Sequence, residues 1–502
     1  MRRALLMLAA LTAAAPAVAQ EPTPGERLSV VKHVLSNGMT FLLLRRPTAP
    51  TVSFVTHFRA GGVDEWTGIS GTAHLFEHML FKGSRSIGTK NLMAEEALFP
   101  AIDAVADSFT AEFRKGALAD SAQLERLRSR LKQLEDSARG FVVSNELDRI
   151  LTENGAVGLN ASTSNDVTNY YFSLPANRAQ LWFVLESDRL RNPVLREFYS
   201  EREVVMEERR LRVETQPFGL LLEEYLAAAF RAHPYGRPVV GVASEIQAVS
   251  RGSALEYFHR YYGPNNAVVA IVGDINVDSM KAWATRYFSD IPPGEPHRPV
   301  VTQEPPQRGE RRIDVEYDAS PQLLIGYHVP SARHPDAPAL QVLSQILTGG
   351  RTSRLFQRLV IRDRVATSIQ TFQFPGSLYP RLFTFLGVPI APHTTAEIEK
   401  AVYEELDRIQ REPPTAEELQ RVRNQTEASS VQRLQSNFGL AFQLSSSEAL
   451  WYDWRQTFRD QAAQTRVTAA DVQRVAKAYF TPTNRTVATL VRPAKPATGG
   501  ND

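Results

Sequence analysis

The chain has 502 residues, of which 43% are apolar and 22% are charged, and its formal net charge is +2. This composition excludes disordered, collagen-like and coiled-coil proteins, and the length suffices for two or more domains with their own cores. Arg2 and Arg3 account for both positive charges, so the remainder is nearly neutral and nucleic acid is not expected as a partner. Cysteine is absent, which excludes disulfides and leaves His, Asp and Glu as metal ligands.

The first residues have the pattern of a secretory signal peptide. Two arginines precede an apolar run at 4–15, and Ala17-Val18-Ala19 supplies the small residues of a cleavage site. Because the run is too short to cross a bilayer as a stable helix, a retained membrane anchor is the weaker alternative. We therefore expect a signal peptide at 1–19, no membrane span in the mature chain, and a periplasmic or secreted protein.

The following residues alternate between strand and helix patterns. Apolar runs at 40–44 and 52–56 predict strands, and a turn at 264–266 followed by an apolar run to 273 predicts another. Apolar residues at helical spacing predict helices at 72–82, 178–191, 199–213 and 253–262.

Two pairs of segments show that the chain consists of two related halves. The turn and strand at 264–274 return at 482–491, in each case after a helix that ends in two aromatic residues. The segment 74–83 likewise matches 341–350, with an apolar run and a polar loop before each. The sequence therefore predicts two homologous domains.

The predicted domains are 20–291 and 311–502, joined by a proline-rich linker at 292–310. The first domain is longer, and we assign its extra residues to a polar insertion near 100–150. Leucines at heptad-like spacing predict a two-helix hairpin there. A solvated addition to the fold is favoured over a device that gates access of a substrate.

A metal-binding pattern lies in the predicted helix at 72–82. His74 and His78 are one turn apart, so both imidazoles point into the same space, and Glu77 lies at the edge of that face. Two imidazoles and one oxygen ligand leave the fourth position of Zn²⁺ for water, and a nearby carboxylate is able to act as general base. The alternative is a pair of surface histidines beside an unrelated glutamate.

The third ligand is expected in the acidic helix at 199–213. Glu201 and Glu208 are seven residues apart and share a face, whereas Glu203 and Glu207 lie on the opposite, charged face. A carboxylate on an apolar face needs a reason to be buried, and a metal is such a reason. We therefore predict Glu208 as ligand and Glu201 as its supporting carboxylate, on the face that also carries Val204, Val205 and Leu211.

With its H-x-x-E-H motif, the sequence resembles the pitrilysin/insulysin family of zinc metallopeptidases, and within it a shorter bacterial branch similar to the mitochondrial processing peptidase subunits. The resemblance spans essentially the whole mature chain. It is carried by the segments Gly71–Gly83, Asn160–Thr163, Glu201–Glu208, His233–Gly236 and Tyr262–Asn266.

This resemblance implies His74, His78 and Glu208 as ligands of one Zn²⁺ per chain, Glu77 as general base and Glu201 as a supporting carboxylate. It also implies that Asn160 and Ala161 lie on an edge strand where the backbone of a peptide substrate pairs as an added strand, with an ordinary turn-rich strand as the alternative. The family fold implies two α+β domains, each a sheet covered by helices, arranged as half of a clamshell. It hence implies a homodimer or a heterodimer with an inactive paralogous subunit.

The second half departs from the pattern of the first. Gln341, Ser344 and Gln345 replace the motif residues, so the metal site is expected in the N-terminal domain only. Many family members carry an Arg and a Tyr, seven residues apart, that reach the substrate from this half. Val360 and Thr367 occupy those positions in the best alignment, with Arg362 and Arg364 nearby.

The sequence therefore predicts an exported zinc metalloendopeptidase that hydrolyses oligopeptides or unfolded polypeptides. The alternative is a non-catalytic or partner-dependent peptide-binding subunit on the same scaffold, which the missing Arg and Tyr would favour. A hydrolase of another kind that uses the same metal has no sequence feature in its support.

Overall fold

The computed structural model describes residue 25 and residues 27–493. The predicted signal peptide lies outside the described residues. The strands are β1 Val31–Val34, β2 Thr40–Arg45, β3 Thr51–Phe58, β4 Val157–Thr163, β5 Thr168–Pro175, β6 Ala267–Gly273, β7 Arg311–Glu316, β8 Gln322–Val329, β9 Ala366–Phe374, β10 Arg381–Pro389 and β11 Arg485–Val491.

Helices in the first half are α1 Thr72–Met79, α2 Leu92–Glu96, α3 Phe99–Phe113, α4 Ser121–Arg139, α5 Glu146–Glu153, α6 Ala179–Arg191, α7 Phe198–Arg209, α8 Pro217–Ala229, α9 Ala243–Ala248, α10 Arg251–Tyr261 and α11 Val277–Phe288. Those of the second half are α12 Ala337–Thr348, α13 Thr395–Arg411, α14 Ala416–Arg433, α15 Asn437–Trp451, α16 Gln456–Arg466 and α17 Ala469–Tyr479. Residues 292–310 contain neither helix nor strand.

Two sheets of the same topology organise the molecule. The first has the order β1-β2-β6-β3-β5-β4 and the second has the order β7-β11-β8-β10-β9. In each, one parallel pair (β2 with β6, β7 with β11) adjoins strands that pair antiparallel. The α+β class with two related sheet-plus-helix units is thus confirmed, and β1 is an additional edge strand of the first unit.

Helices exchanged between the halves cover the second face of each sheet. From the second half, α15 places Leu440, Ala441 and Leu444 against β3 and β6, where they join a buried apolar cluster with Val55 and Val268. From the first half, α8 packs in the same way on β7 and β11. Each sheet is therefore enclosed by its own helices on one face and by a helix of the other half on the opposite face. We expect the two halves to depend on each other for stability.

The side chain of Tyr225 makes one close approach between α8 and the second sheet. Tyr225 of α8 is fully buried, and its hydroxyl lies 2.8 Å from Oγ1 of Thr384 in β10. A Cβ at Gly326 of β8 would lie only 1.6 Å from that hydroxyl oxygen. Glycine at this strand position is therefore a packing requirement of the interface between the halves.

The insertion forms the predicted helical hairpin from α3 and α4, and its inner side is part of the main core. Leu131, Leu134 and Ala138 of α4 are buried, as are Ile102 and Ala106 of α3, in the cluster that also contains α1 and α7 residues. The expectation of a merely solvated addition is therefore revised: one side of the hairpin is exposed and the other extends the core.

His57 lies at the centre of β3 and is 1% exposed, with its ring edge-on to Phe442 of α15. Burial, reinforced by the positive charge of Arg59, lowers its pKa to about 3. The unfolded chain, in which histidine has a pKa of about 6.5, takes up more protons between these values. The stability that depends on the neutral His57 ring is therefore fully present above pH 6.5 and is lost as the pH falls toward 3.

We expect this histidine to lower the free energy of unfolding by on the order of 4 kcal/mol between pH 7 and pH 3. His57→Leu should remove that share of the acid sensitivity, because leucine does not titrate. Urea unfolding at several pH values, for wild type and variant, measures the difference. Parallel pH profiles for the two proteins would contradict the prediction.

Among the described helices, none combines the length and the apolar composition that a bilayer-spanning segment needs.

Candidate metal centre

The N-terminus of α1 is held by a buried carboxylate. Glu65 is 5% exposed and accepts hydrogen bonds from the backbone N–H groups of Gly71 (3.0 Å) and Ala73 (2.7 Å). These N–H groups have no partner within the helix, and the positive end of the helix dipole favours an acidic group there. Gly71 has φ +88°, and a Cβ at this position would lie 2.6 Å from the carbonyl oxygen of Val240. The start of the helix is therefore held by the Glu65 carboxylate and by close packing of Gly71 against Val240.

His74 and His78 meet Glu208 of α7 as predicted. The Oε2 atom of Glu208 lies 3.6 Å from Nε2 of His74 and 3.5 Å from Nε2 of His78. The three potential ligand atoms all lie within 4.8 Å of one another. Within the described part of the chain, this is the one group of three or more such side chains that is close enough to hold a metal ion.

The arrangement fits a zinc ion. Zinc–ligand bonds of about 2.0–2.1 Å in tetrahedral geometry separate ligand atoms by roughly 3.4 Å, close to the two distances from Glu208 to the histidines. Burial lowers the pKa of His74 to about 4, so at neutral pH its ring is in the neutral form that binds metals. Two histidines and one carboxylate are also the donor set of known catalytic zinc sites with an open position for water.

Glu201 lies behind His78, on the side away from Glu208. Its Oε2 is 3.5 Å from Nδ1 of His78, and its Oε1 forms an ion pair with the ammonium group of Lys82. Burial alone would lower the pKa of His78, but the hydrogen bond to Glu201 and the charge of Glu208 outweigh it, so the pKa is raised. A carboxylate at the second nitrogen fixes the orientation of the imidazole and increases its basicity toward a metal.

Glu77 points toward the edge of the first sheet. The hydroxyl of Thr163, at the end of β4, donates a hydrogen bond of 2.5 Å to its Oε2. Burial raises the pKa of Glu77, and the Thr163 hydroxyl acts in the opposite direction. The carboxylate is thus close to the two histidines, partly buried, and adjacent to the outer strand of the sheet.

The face of α7 differs from the predicted apolar stripe. Glu203 and Glu207 are exposed as expected, and Val205 is buried, but Val204 and Leu211 are 49% and 51% exposed. Glu201 and Glu208 are shielded by α1 rather than by apolar neighbours along their own helix. The structure brings both glutamates to the histidines, whereas the predicted apolar stripe beside them is largely exposed, and their role toward a metal stays a prediction.

Asn160 and Ala161 lie on β4, the edge strand of the first sheet. They pair with Tyr171 and Tyr170 of β5, and the outer side of β4 has no neighbouring strand among the described residues. An unpaired strand edge beside Glu77 is a suitable surface for an added peptide strand. The structure thus places both residues at the expected edge, while their contact with a substrate stays a prediction.

The second half contains an equivalent helix and edge strand, α12 and β9, with polar residues in place of the metal-binding motif. Gln341, Ser344 and Gln345 lie on α12, and the Ser344 hydroxyl is 2.7 Å from Oγ1 of Thr371 in the edge strand β9. Ser344 occupies the position of Glu77, and the strand registers align Thr371 with Ala161 of β4. Val360 and Thr367 lie in a π-helix at Phe356–Arg362 and at the start of β9, respectively.

Four further residues contact the side chains or helices of the centre, and their spacing in the sequence predicts no such role. Two of them lie inside the segments Gly71–Gly83 and Asn160–Thr163. Thr163 and Lys82 belong to such motifs, but only their contacts with Glu77 and Glu201 show what they do. Glu65, which follows Asp64, and Glu197 lie in loops, and their spacing in the sequence predicts no contact with the metal-binding helices. Their contacts depend on chain segments that are distant in sequence.

Comparison with known proteins supports the assignment of the fold. A zinc protease of Helicobacter pylori, PqqE, is 26% identical over 447 residues, which are 86% of this chain and 86% of that protein. The crystal structure of a protease from Helicobacter pylori superposes with a TM-score of 0.77 at 23% identity, over 93% of this chain and 100% of that chain. The periplasmic protease PqqL from Escherichia coli gives a TM-score of 0.67 at 16% identity, over 92% of this chain and 47% of that chain.

Two family models match adjacent parts of the chain. The model for insulinase (peptidase family M16) matches residues 142–242, which include α7 with Glu208, and the model for the peptidase M16 inactive domain matches residues 248–426. The first match begins after the α3–α4 hairpin in the sequence and therefore does not include α1. Together the two ranges cover more than half of the 502 residues. The chain therefore belongs to the insulinase family of peptidases, M16.

Proposed function

We propose that this protein is an exported zinc metalloendopeptidase. The observation that carries the proposal is the meeting of His74, His78 and Glu208 within 4.8 Å, with Glu77 on the same helix turn and an open strand edge beside it. Relatives named zinc proteases support the same metal and the same class of reaction. One zinc ion per chain follows from the single ligand group among the described residues.

In this proposal, His74, His78 and Glu208 hold the zinc ion, and Glu201 orients the ring of His78. Bound Zn²⁺ supplies Lewis acidity, which makes a water molecule a stronger acid and a carbonyl group a better electrophile. Glu77 accepts the proton of the attacking water and delivers it to the nitrogen of the leaving amine. The Thr163 hydroxyl holds the Glu77 carboxylate toward the substrate.

The substrate is proposed to bind as an extended strand along β4, near Asn160 and Ala161. Pairing of backbones gives affinity without strong sequence preference, and it requires a segment that is not already part of a folded sheet. Oligopeptides and unfolded polypeptides meet this condition. The proposed substrates are therefore peptides of this kind, rather than folded proteins.

A second subunit and an extracytoplasmic location belong to the same proposal. Two related units form half of the enclosed chamber that the family fold implies, so a homodimer or a heterodimer with an inactive paralogous chain would complete it. Val360 and Thr367 stand where many family members carry Arg and Tyr, which favours a partner that contributes contacts to the substrate. The signal-like first residues and the periplasmic neighbour PqqL support a periplasmic or secreted protein.

The test is bound zinc and hydrolysis of a quenched fluorogenic peptide, measured on the purified protein and on Glu208→Gln. We expect about one zinc per chain and activity in the wild type, and loss of both in the variant. Glu203→Gln is the matched control, because Glu203 lies on the exposed face of the same helix. It should retain zinc and activity.

Absence of zinc from the wild type would overturn the metallopeptidase proposal. Zinc without turnover would instead favour the peptide-binding or partner-dependent alternative.

A further inference from the structure

Arg196 and Glu197, the two residues before α7, link the insertion and the helix that precedes it to the metal-binding helices. Arg196 is 1% exposed, and its guanidinium group donates to Glu95 of α2 (3.0 Å) and to carbonyl oxygens in the segment that follows α1, including Lys82 O at 2.7 Å. The next residue, Glu197, precedes the first turn of α7. The segment after α1, the helix α2 that precedes the insertion and the start of α7 therefore meet at Arg196.

Glu197 has an unusual backbone conformation for a glutamate. Its φ is +55°, in the left-handed region that disfavours residues with a Cβ. Its carboxylate contacts two cations from different elements: Lys82 Nζ at 3.3 Å, after α1, and Arg139 Nε at 3.1 Å, at the end of α4. Such backbone conformations persist where the surrounding contacts determine them, and they cluster at functional sites.

The contacts continue from Glu197 to the metal centre. Lys82 bridges Glu197 and Glu201, and Glu201 lies 3.5 Å from Nδ1 of His78. A continuous path of charged groups therefore runs from α4 of the insertion to a predicted zinc ligand. Each step is a direct contact between side chains of opposite charge or a contact with the histidine ring.

The insertion touches this path at one end only. Arg139 also donates to the hydroxyl of Ser200 (3.1 Å), which in turn donates to Glu135 one turn earlier on α4 (3.1 Å). Next to these contacts, a cleft of about 350 Å³ separates α7 from the outer part of the hairpin. Phe109 of α3 and Arg128 of α4 line it on the side of the hairpin. On α4, Glu135 and Arg139 make the polar contacts with this path, and single substitutions are able to interrupt them. Elsewhere the hairpin contacts α7 through buried apolar side chains and through Asp103, which accepts a hydrogen bond from the Tyr199 hydroxyl.

We propose that the inserted hairpin positions the zinc-binding helices, with Arg139 and Glu197 as positioning residues that hold Lys82 and Glu201 against His78. The inference rests on the proposed zinc site and adds to it a role for a segment that the second sheet-plus-helix unit lacks. Neither residue touches the substrate or the metal. Their effect passes through the orientation of the Glu201 carboxylate, because that carboxylate fixes the ring of His78.

The test compares zinc affinity by competition with a chromogenic chelator in wild type, Glu197→Gln, Arg139→Ala and Arg139→Lys. Loss of a partner in the outer shell of a metal site weakens metal binding by about 10- to 100-fold. We expect about a tenfold loss for Glu197→Gln. A smaller loss of about threefold is expected for Arg139→Ala, because Arg139 is half exposed and its ion pair is screened. Arg139→Lys should retain most of the affinity.

The matched control is Arg126→Ala, on the same helix, since Arg126 contacts only neighbouring residues of α4 and of its cap. It should bind zinc as the wild type does. Thermal unfolding of the zinc-free proteins separates positioning from folding: the midpoints of the Glu197 and Arg139 variants should stay near that of the zinc-free wild type.

Wild-type zinc affinity in Glu197→Gln and Arg139→Ala would overturn the inference, as would a loss that Arg126→Ala shares. These results leave the proposed function standing, because zinc still binds. A wild-type protein that binds no zinc would instead refute the proposed function and, with it, this inference.

Discussion

Glu77→Gln is expected to lower kcat/KM for peptide hydrolysis by about 10²- to 10⁴-fold while zinc content stays at the wild-type level. Glutamine has nearly the shape of glutamate but accepts no proton at neutral pH, so the variant loses the general base and little else. Glu77 is not among the three side chains that converge on the candidate metal position. Metal content and activity should therefore separate in this variant.

The separation distinguishes the proton-transfer role from a structural one. Thr163 Oγ1 donates to Glu77 Oε2, and the amide oxygen of glutamine is able to accept the same hydrogen bond. Glu77→Asp provides an intermediate case, because it keeps a carboxylate but withdraws it by one methylene group. We expect partial activity for it, between the wild type and Glu77→Gln.

Peptide hydrolysis and bound zinc, measured on the same preparations, test this prediction. Wild-type turnover in Glu77→Gln would exclude Glu77 as the base. Loss of zinc together with activity would mean that the residue contributes to metal binding, and the assignment of roles would have to change.

Local patterns were sufficient to predict the elements that carry the centre. The one-turn spacing of His74 and His78 places them on the same face of α1, and the seven-residue spacing of Glu201 and Glu208 places both on the face of α7 that contacts α1. The related segments at 74–83 and 341–350 correctly predicted two related units, since both include part of a helix, α1 or α12, that packs beside an edge strand. These features depend on neighbours within one or two helical turns, which sequence periodicity records.

Contacts between distant segments could not be predicted in this way. The exchange of α8 and α15 depends on the shape of two sheets, and Tyr225 needs the space at Gly326 across that interface. The exposure of Val204 and Leu211 follows from where α1 crosses α7, which the hydrophobic pattern of α7 does not contain. Burial of the inner side of the hairpin likewise depends on tertiary packing.

The ion pair between Arg196 and Glu95 is expected to dominate the stability of the junction between the insertion and the metal-binding helices. The two side chains are 1% and 0% exposed, and the guanidinium group also satisfies the carbonyl oxygens of Lys82, Ser84 and Ile87. Arg196→Met keeps an unbranched chain of similar length but removes all of these donors. Glu95 would remain as a buried carboxylate without its cation.

We expect Arg196→Met to lower the free energy of unfolding by about 3–5 kcal/mol, the usual cost of breaking a buried ion pair on one side. Urea unfolding of zinc-free protein measures this loss without a contribution from bound metal. Arg408→Ala is the control, since Arg408 pairs with Glu412 at 59% and 69% side-chain exposure. Removing such an exposed pair should cost less than about 1 kcal/mol.

The double variant Glu95→Leu/Arg196→Met decides why the single substitution is costly. If the unpaired carboxylate causes most of the loss, the double variant should be more stable than Arg196→Met alone, because a buried pair replaced on both sides by apolar groups often costs little. If the three carbonyl oxygens cause most of it, the double variant should be no more stable than the single one, because they lack donors in both. An Arg196→Met protein as stable as the wild type would contradict both explanations and show that the junction adds little to the fold.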